Sequence, residues 1–329
     1  MRIDFRHVIR AVPVMLAAAI AFAAPSAPAQ AQGYPNRTVR LIVPFGAGGP
    51  ADVYARVLAK YLTDETKQAF VIENRPGAGA LIGTDAVAKS APDGYTLLVM
   101  SNTHTTNESL LSNKPYELMR DFVPVAPINY SDLLMVVHPS VPAKTVAEFI
   151  ALAKKDPGKM NYASSGPGTP YHMAGELFKA MSKTDIVHIP HKASGDARNS
   201  VLAGTVQMMF DAVTTMSELA KAGKVQALAT TGLTRSPLTP DLPTVAETVP
   251  GYEATIWLGI MAPKDTPKDV IAYLNTAINK VINLPEVKEA WLKQGAIPLV
   301  MTPPEFDAYL RKDIAKWAEV VKVSGAKVQ

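Results

Sequence analysis

Val39-Arg40-Leu41-Ile42-Val43-Pro44-Phe45-Gly46-Ala47-Gly48-Gly49-Pro50-Ala51-Asp52-Val53-Tyr54-Ala55-Arg56 reads as an apolar strand, a glycine-rich turn and the start of an amphipathic helix running on to about Leu62. Glycines between a strand end and a helix start let backbone N–H groups turn toward a ligand. The helix N-terminus adds unpaired donors and a partial positive charge, which suits an anion. This is not a nucleotide loop. A phosphate-binding loop closes on Gly-Lys-Ser/Thr, and Gly46-Ala47-Gly48-Gly49 followed by Asp52 departs from the dinucleotide pattern. The stretch is read as a carboxylate-sized anion cradle, with an ordinary strand-to-helix turn as the bland alternative.

Working outward, Phe70–Asn74 forms a second strand, followed by a second glycine turn at 75–80 and a helix over 81–89. Residues 95–100 (YTLLVM) are continuously apolar, as strands buried on both faces of a parallel sheet are. Strands alternating with helices in this way predict an open α/β sheet. The third strand runs into Ser101-Asn102-Thr103-His104, polar groups at the carboxyl edge where ligands of such sheets gather. Ser101 and His104 are therefore candidate contacts.

From Asp132 the pattern restarts. Leu133–Val137 reads as a strand, and Thr145-Val146-Ala147-Glu148 as a capping box opening a helix. Asn161-Tyr162-Ala163-Ser164-Ser165-Gly166-Pro167-Gly168-Thr169 then repeats the opening logic of strand, Gly/Ser turn and helix. Further strands are predicted over 186–189, 206–210 and 225–230, with helices over 197–202 and 216–221. A proline-rich loop at 237–250 leads to a returning strand at 254–262. The remainder is helical, with starts at Pro267, Pro285 and Pro303, Trp317 and Val321 on an apolar stripe, and Gly325 as a stop. Two α/β halves joined twice, near 128–136 and 254–261, describe a clamshell with a cleft between domains, a favoured small-molecule site. The expected organisation is domain 1 over 32–130 plus 255–329, and domain 2 over 131–254.

The N-terminus addresses the compartment. Arg2, Arg6 and Arg10 precede an apolar run at 11–24, and Ala29-Gln30-Ala31 fits a leader-peptidase site, so residues 1–31 are read as a signal peptide cut after Ala31. The apolar core is shorter than a span needs and is followed by Pro25 and Pro28, which argues against a retained anchor. A periplasmic protein without stable membrane insertion is expected. A formal net charge of +4, part of it in those arginines, gives no basic stripe for nucleic acid. Zero cysteines exclude disulfides and thiolate chemistry.

These residues together resemble the extracytoplasmic solute receptors called Bug proteins, the substrate-binding family of tripartite tricarboxylate transporters. The resemblance covers the whole mature chain. It rests on Tyr34-Pro35, Val43-Pro44-Phe45 with Gly48-Gly49 and Asp52, Asn74-Arg75-Pro76-Gly77-Ala78-Gly79, and Pro92-Asp93-Gly94-Tyr95-Thr96-Leu97-Leu98. It continues through Asn161 to Gly166 with Gly168, Thr169 and His172, then Phe210-Asp211 and Asp241-Leu242-Pro243-Thr244-Val245-Ala246-Glu247. The family implies a type II, two-domain periplasmic binding protein that holds a small carboxylate through backbone N–H groups and water. Carried over by position, Phe45, Ala47, Gly48, Ala51 and Asp52 belong to one wall. Ser164, Ser165, Gly166 and Thr169 belong to the other, with Asp211 nearby. The chain departs from the family at Ala51, where Ser or Thr is usual, at His191-Lys192-Ala193, where Tyr-Lys-Gly is usual, and across 103–113.

The sharper chemical readings fare unevenly. Ser164 and Ser165 lack a nucleophile elbow and are read as donors to an anion rather than nucleophiles. Asp52 would repel an anion and suits the first helical turn structurally. His188-Ile189-Pro190-His191 does not make a metal site; His191 fits better as a neutral donor to the ligand. The expectation is a monomeric receptor, not an enzyme, without cofactor or metal. It captures a small carboxylate, an aromatic or dicarboxylic acid among the candidates, and delivers it to inner-membrane transporter subunits. The rival partner is a sensor kinase, and the rival class a secreted hydrolase or isomerase.

Overall fold

The computed structural model describes residues 33–191 and 194–324, so the signal peptide, Lys192, Ala193 and the Gly325 stop lie outside the described residues. The chain from Arg37 onward builds two sheets in sequence. The first opens with β1 (Val39–Val43), α1 (Pro50–Thr66), β2 (Phe70–Asn74), α2 (Leu81–Ala88) and β3 (Thr96–Ser101). The parallel pairings of β1 with β2 and with β3 are those the alternating strand–helix pattern predicts.

β3 passes directly into α3 (Asn102–Leu110), a helix the sequence reading did not assign. Next come α4 (Leu118–Asp121) and β4 (Phe122–Ser131). β4 contains Pro124 and Pro127, residues that remove ladder donors and argue against a strand interior. It forms nonetheless, because its ladder with β10 (Ile256–Pro263) shifts register at Leu258/Gly259 and Ile260/Met261, next to the pairings of those prolines.

After Asp132 the chain crosses to the second sheet: β5 (Leu133–Val137), α5 (Val146–Lys155), β6 (Met160–Ser164), α6 (Pro170–Ser182), β7 (Ile186–Pro190), α7 (Ser194–Leu202), β8 (Met208–Ala212), α8 (Val213–Lys221) and β9 (Gln226–Thr230). It returns to the first sheet through β10 and closes with α9 (Lys268–Ile282), α10 (Pro285–Leu292), β11 (Ile297–Pro298) and α11 (Pro303–Ser324). The strand orders are β11-β4-β10-β3-β1-β2 and β7-β6-β8-β5-β9.

Each sheet carries its own apolar core. Ile42, Leu98, Met100, Trp257 and Phe306 anchor one; Met135, Phe149, Tyr162, Phe178 and Phe210 anchor the other. α11 serves both. Leu310 belongs to the first core, while Trp317 and Val320 are buried in the second, so the last helix ties the two sheets together instead of packing on one alone. Its partner α9 shows the local logic: Val270, Leu274, Ile278 and Val281 recur at helical spacing and are all buried. Truncating a side chain such as Leu274 to alanine costs about 2–5 kcal/mol.

Candidate ligand-binding site

The glycine turn is held from behind. Gly48 adopts a left-handed φ of 78°, and its N–H donates to Asp52 Oδ2 at 2.9 Å. The same oxygen accepts from Arg56 Nε at 2.9 Å, and Oδ1 accepts from Asn74 Nδ2 at 3.0 Å. Asn74 Nδ2 also reaches the Phe45 carbonyl, so the end of β2 ties down both flanks of the turn. Burial pushes the Asp52 carboxyl pKa up, but Arg56, the Gly48 amide and Asn74 together outweigh it and hold it below the usual range. Asp52 is thus an internal anchor, as its like charge toward an anion suggested.

In front of the turn lies a cavity of about 650 Å³, lined from both sheets. Helix N-termini open onto it from each side. α1 contributes Pro50 and Ala51 after its cap Gly49, and α3 contributes its cap Ser101 together with Thr103. From the second sheet come Pro170 and Tyr171 at the start of α6, and Val213, Thr214 and Thr215 at the start of α8. Backbone N–H groups in a first helical turn have no intrahelical acceptor, and four helix dipoles add their positive ends. Among the described residues, the full cation in the lining is Arg198 of α7.

Of the sequence-derived candidates, Phe45, Ala47, Gly48, Ala51 and Ser101 line this cavity. The others do not. His104 is fully buried: its Nδ1 accepts from the Ser101 N–H, its Nε2 meets Thr84 Oγ1 at 2.9 Å, and its ring sits edge-on to Phe45. Burial, only partly opposed by the Ser101 carbonyl 3.2 Å from Nδ1, drops its pKa to about 4, so it is a neutral cap residue supporting the turn. Ser164 is buried too, its Oγ accepting from the Gly166 N–H and contacting His188 Nε2 at 2.6 Å. Thr169 caps α6 and bonds back to the Gly166 carbonyl, which together with Ser164 closes the turn that also carries Ser165. His191 Nδ1 faces the Ile189 carbonyl at 3.1 Å. Asp211 is fully buried and grips Arg198.

The sequence reading missed Arg198, Tyr171, Asn129 and Asp132, all of them cavity residues. Arg198 carried no motif. Its role depends on Asp211, which lies on a different element. Asp132 stands at the crossing between the sheets; burial first, and Glu253 to a lesser degree, raise its pKa to about 6 against a Ser236 contact.

Residues 54–326 match the family model described as a tripartite tricarboxylate transporter family receptor. Protein BugT of Bordetella pertussis is 39% identical over 313 residues, which is 94% of this chain and 96% of that protein. Among solved structures, the R. palustris protein Rpa4515 with adipate is 34% identical with a TM-score of 0.77, covering 90% of this chain and 100% of that one. MatC from Rhodopseudomonas palustris with bound malate is 30% identical with a TM-score of 0.73, covering 88% and 100%. Two mixed sheets, two crossings and a shared cavity are the architecture of a two-domain clamshell. The chain belongs to the tripartite tricarboxylate transporter family of solute-binding receptors.

Proposed function

We propose that the protein captures a small organic carboxylate in this cavity, closes its two domains around it, and hands it to the membrane subunits of a tripartite tricarboxylate-type transporter. The observation that carries this reading is the opening of four helix N-termini, two per sheet, onto one cavity. That arrangement attracts an anion without covalent chemistry. Adipate in one relative and malate in another are carboxylates of suitable size. Phe45, Ala47, Gly48, Ala51 and Ser101 form the first contact wall, and hinge closure brings the Ser165–Thr169 turn up to the ligand. Residues 1–31 act as the leader that sends the chain to the periplasm, where it works as a monomer.

The test is a thermal-shift and calorimetric screen of purified protein against mono-, di- and tricarboxylates, aromatic acids and neutral sugars. A ligand present at 100 times its Kd adds about 2.7 kcal/mol of stability. Stabilisation by a sugar and by no acid would overturn the reading.

A further inference from the structure

Arg198, which lines the cavity from α7, is half of a fixed pair. Arg198 donates from Nε and Nη2 to the two oxygens of Asp211, and Asp211 Oδ1 also accepts the Ala212 N–H at 2.7 Å. A guanidinium carries five N–H donors in a rigid plane and can present more than one bidentate edge. Asp211 takes the edge made by Nε and Nη2. Among the described residues Nη1 donates to no protein acceptor, so the end edge, Nη1 with the second Nη2 hydrogen, remains open in a side chain that lines the cavity. Because Asp211 is fully buried and immobilised, the arginine is oriented before any ligand arrives.

Position adds to this. Arg198 lines the cavity together with Tyr171 and Thr214, from the first turns of α6 and α8, whereas the glycine turn and α3 contribute from the other sheet. Much of the rest of the lining is apolar, including Leu133 and Ile256. A cavity with anion-favouring groups on both walls and apolar lining besides suits a ligand with two anionic ends on a hydrocarbon spacer. We infer that Arg198 is a specificity-determining residue whose end edge takes a second carboxylate, which makes the ligand class a dicarboxylate. This rests on the receptor reading given above.

Arg198→Gln alone leaves Asp211 buried without its partner and can fail to fold. The double variant Arg198→Gln, Asp211→Asn removes both charges, and circular dichroism and a melting curve establish that it is folded. Wild type and double variant are titrated calorimetrically with succinate, glutarate and adipate and with their half-amides, which remove one charge at nearly constant shape. Wild type is expected to prefer the best diacid over its half-amide by about tenfold or more, the range of a hydrogen bond to a charged group. In the double variant that preference falls to less than about threefold. An unchanged preference in the double variant, or no preference in wild type, overturns the assignment to Arg198. Failure of wild type to bind any carboxylate would instead overturn the receptor reading beneath it.

Discussion

The Gly48 N–H donates to Asp52 Oδ2 at 2.9 Å, folding the glycine turn back onto the first turn of the helix it introduces. That amide is consumed inside the protein, so the turn offers a ligand the donors of α1's first turn and not this one. Asp52 is 3% exposed and shares its oxygens with Arg56 and Asn74. Asp52→Asn is expected to cost about 1–3 kcal/mol by leaving donors unmet, and to weaken ligand binding at least about tenfold without touching the ligand. Because its folded pKa is lowered, the Asp52 contribution is complete above the usual aspartate pKa and is lost as pH falls through the folded value. Urea unfolding across pH and calorimetry check both parts; lost stability with unchanged affinity would detach the turn from the site.

Gly48 itself gives a cleaner probe of the backbone. No atom lies within 4 Å of where its Cβ would stand, so Gly48→Ala meets no steric obstacle. The cost comes from the left-handed φ of 78°, about 1–2 kcal/mol. Weakened binding with an otherwise intact fold is the expected outcome, read by calorimetry beside a melting curve. A melting temperature equal to that of wild type would show that the turn relaxes freely.

Asp132 is expected to set part of the pH dependence of stability. Its folded pKa, about 6, lies above the ordinary value of 3.8. A raised carboxyl favours the folded state at low pH, and that advantage disappears as pH rises through about 6. At neutral pH the ionised buried group therefore costs about 3 kcal/mol, taken as an upper figure. Asp132→Asn should stabilise the protein above pH 6 and flatten its profile between the two pKa values, as measured by urea unfolding across that range. A variant less stable than wild type at neutral pH would mean that the charge is compensated by partners the carboxyl finds on ionising.

Asp313 joins α11 to the cavity wall. Its Oδ2 accepts from Thr105 Oγ1 of α3 at 2.6 Å, from Trp257 Nε1 of β10 at 3.3 Å and from Trp317 Nε1 at 3.2 Å. Asp313→Ala would orphan three buried donors and is expected to cost about 3 kcal/mol or more. Both indoles should change their fluorescence, since they share the lost acceptor. Because α3 carries Ser101 and Thr103 into the cavity, ligand affinity should fall as well. An unchanged emission spectrum would place the indoles' environment elsewhere.

Much of the architecture was readable locally. Strand-to-helix alternation from Val39 to Met100 is carried by periodicity and glycine punctuation, and the structure forms those elements within a residue or two, except that α1 runs on to Thr66 instead of ending near Leu62. Helix starts at Pro50, Pro170 and Pro285 follow from a residue with no amide to lose. β4 was not legible, because Pro124 and Pro127 are tolerated only through register shifts that its neighbour β10 supplies from far along the chain. Nor was α3, whose Asn-Thr-His-Thr-Thr-Asn sequence has poor helix propensity and forms over a Ser101–His104 capping box buried against α11.

By itself the sequence determined the family and the order of strand, turn and helix, because each depends on residues near one another in the chain. The tertiary structure decided which donors remain free. Asp52 takes the Gly48 amide because Asn74 of the next strand helps hold its carboxylate in place, and His104 turns inward because Thr84 of α2 receives it. Arg198 becomes part of the cavity wall through Asp211 on β8. A hydrogen bond between distant elements leaves no periodicity to read, so the turn itself was visible in the sequence and its division of labour was not.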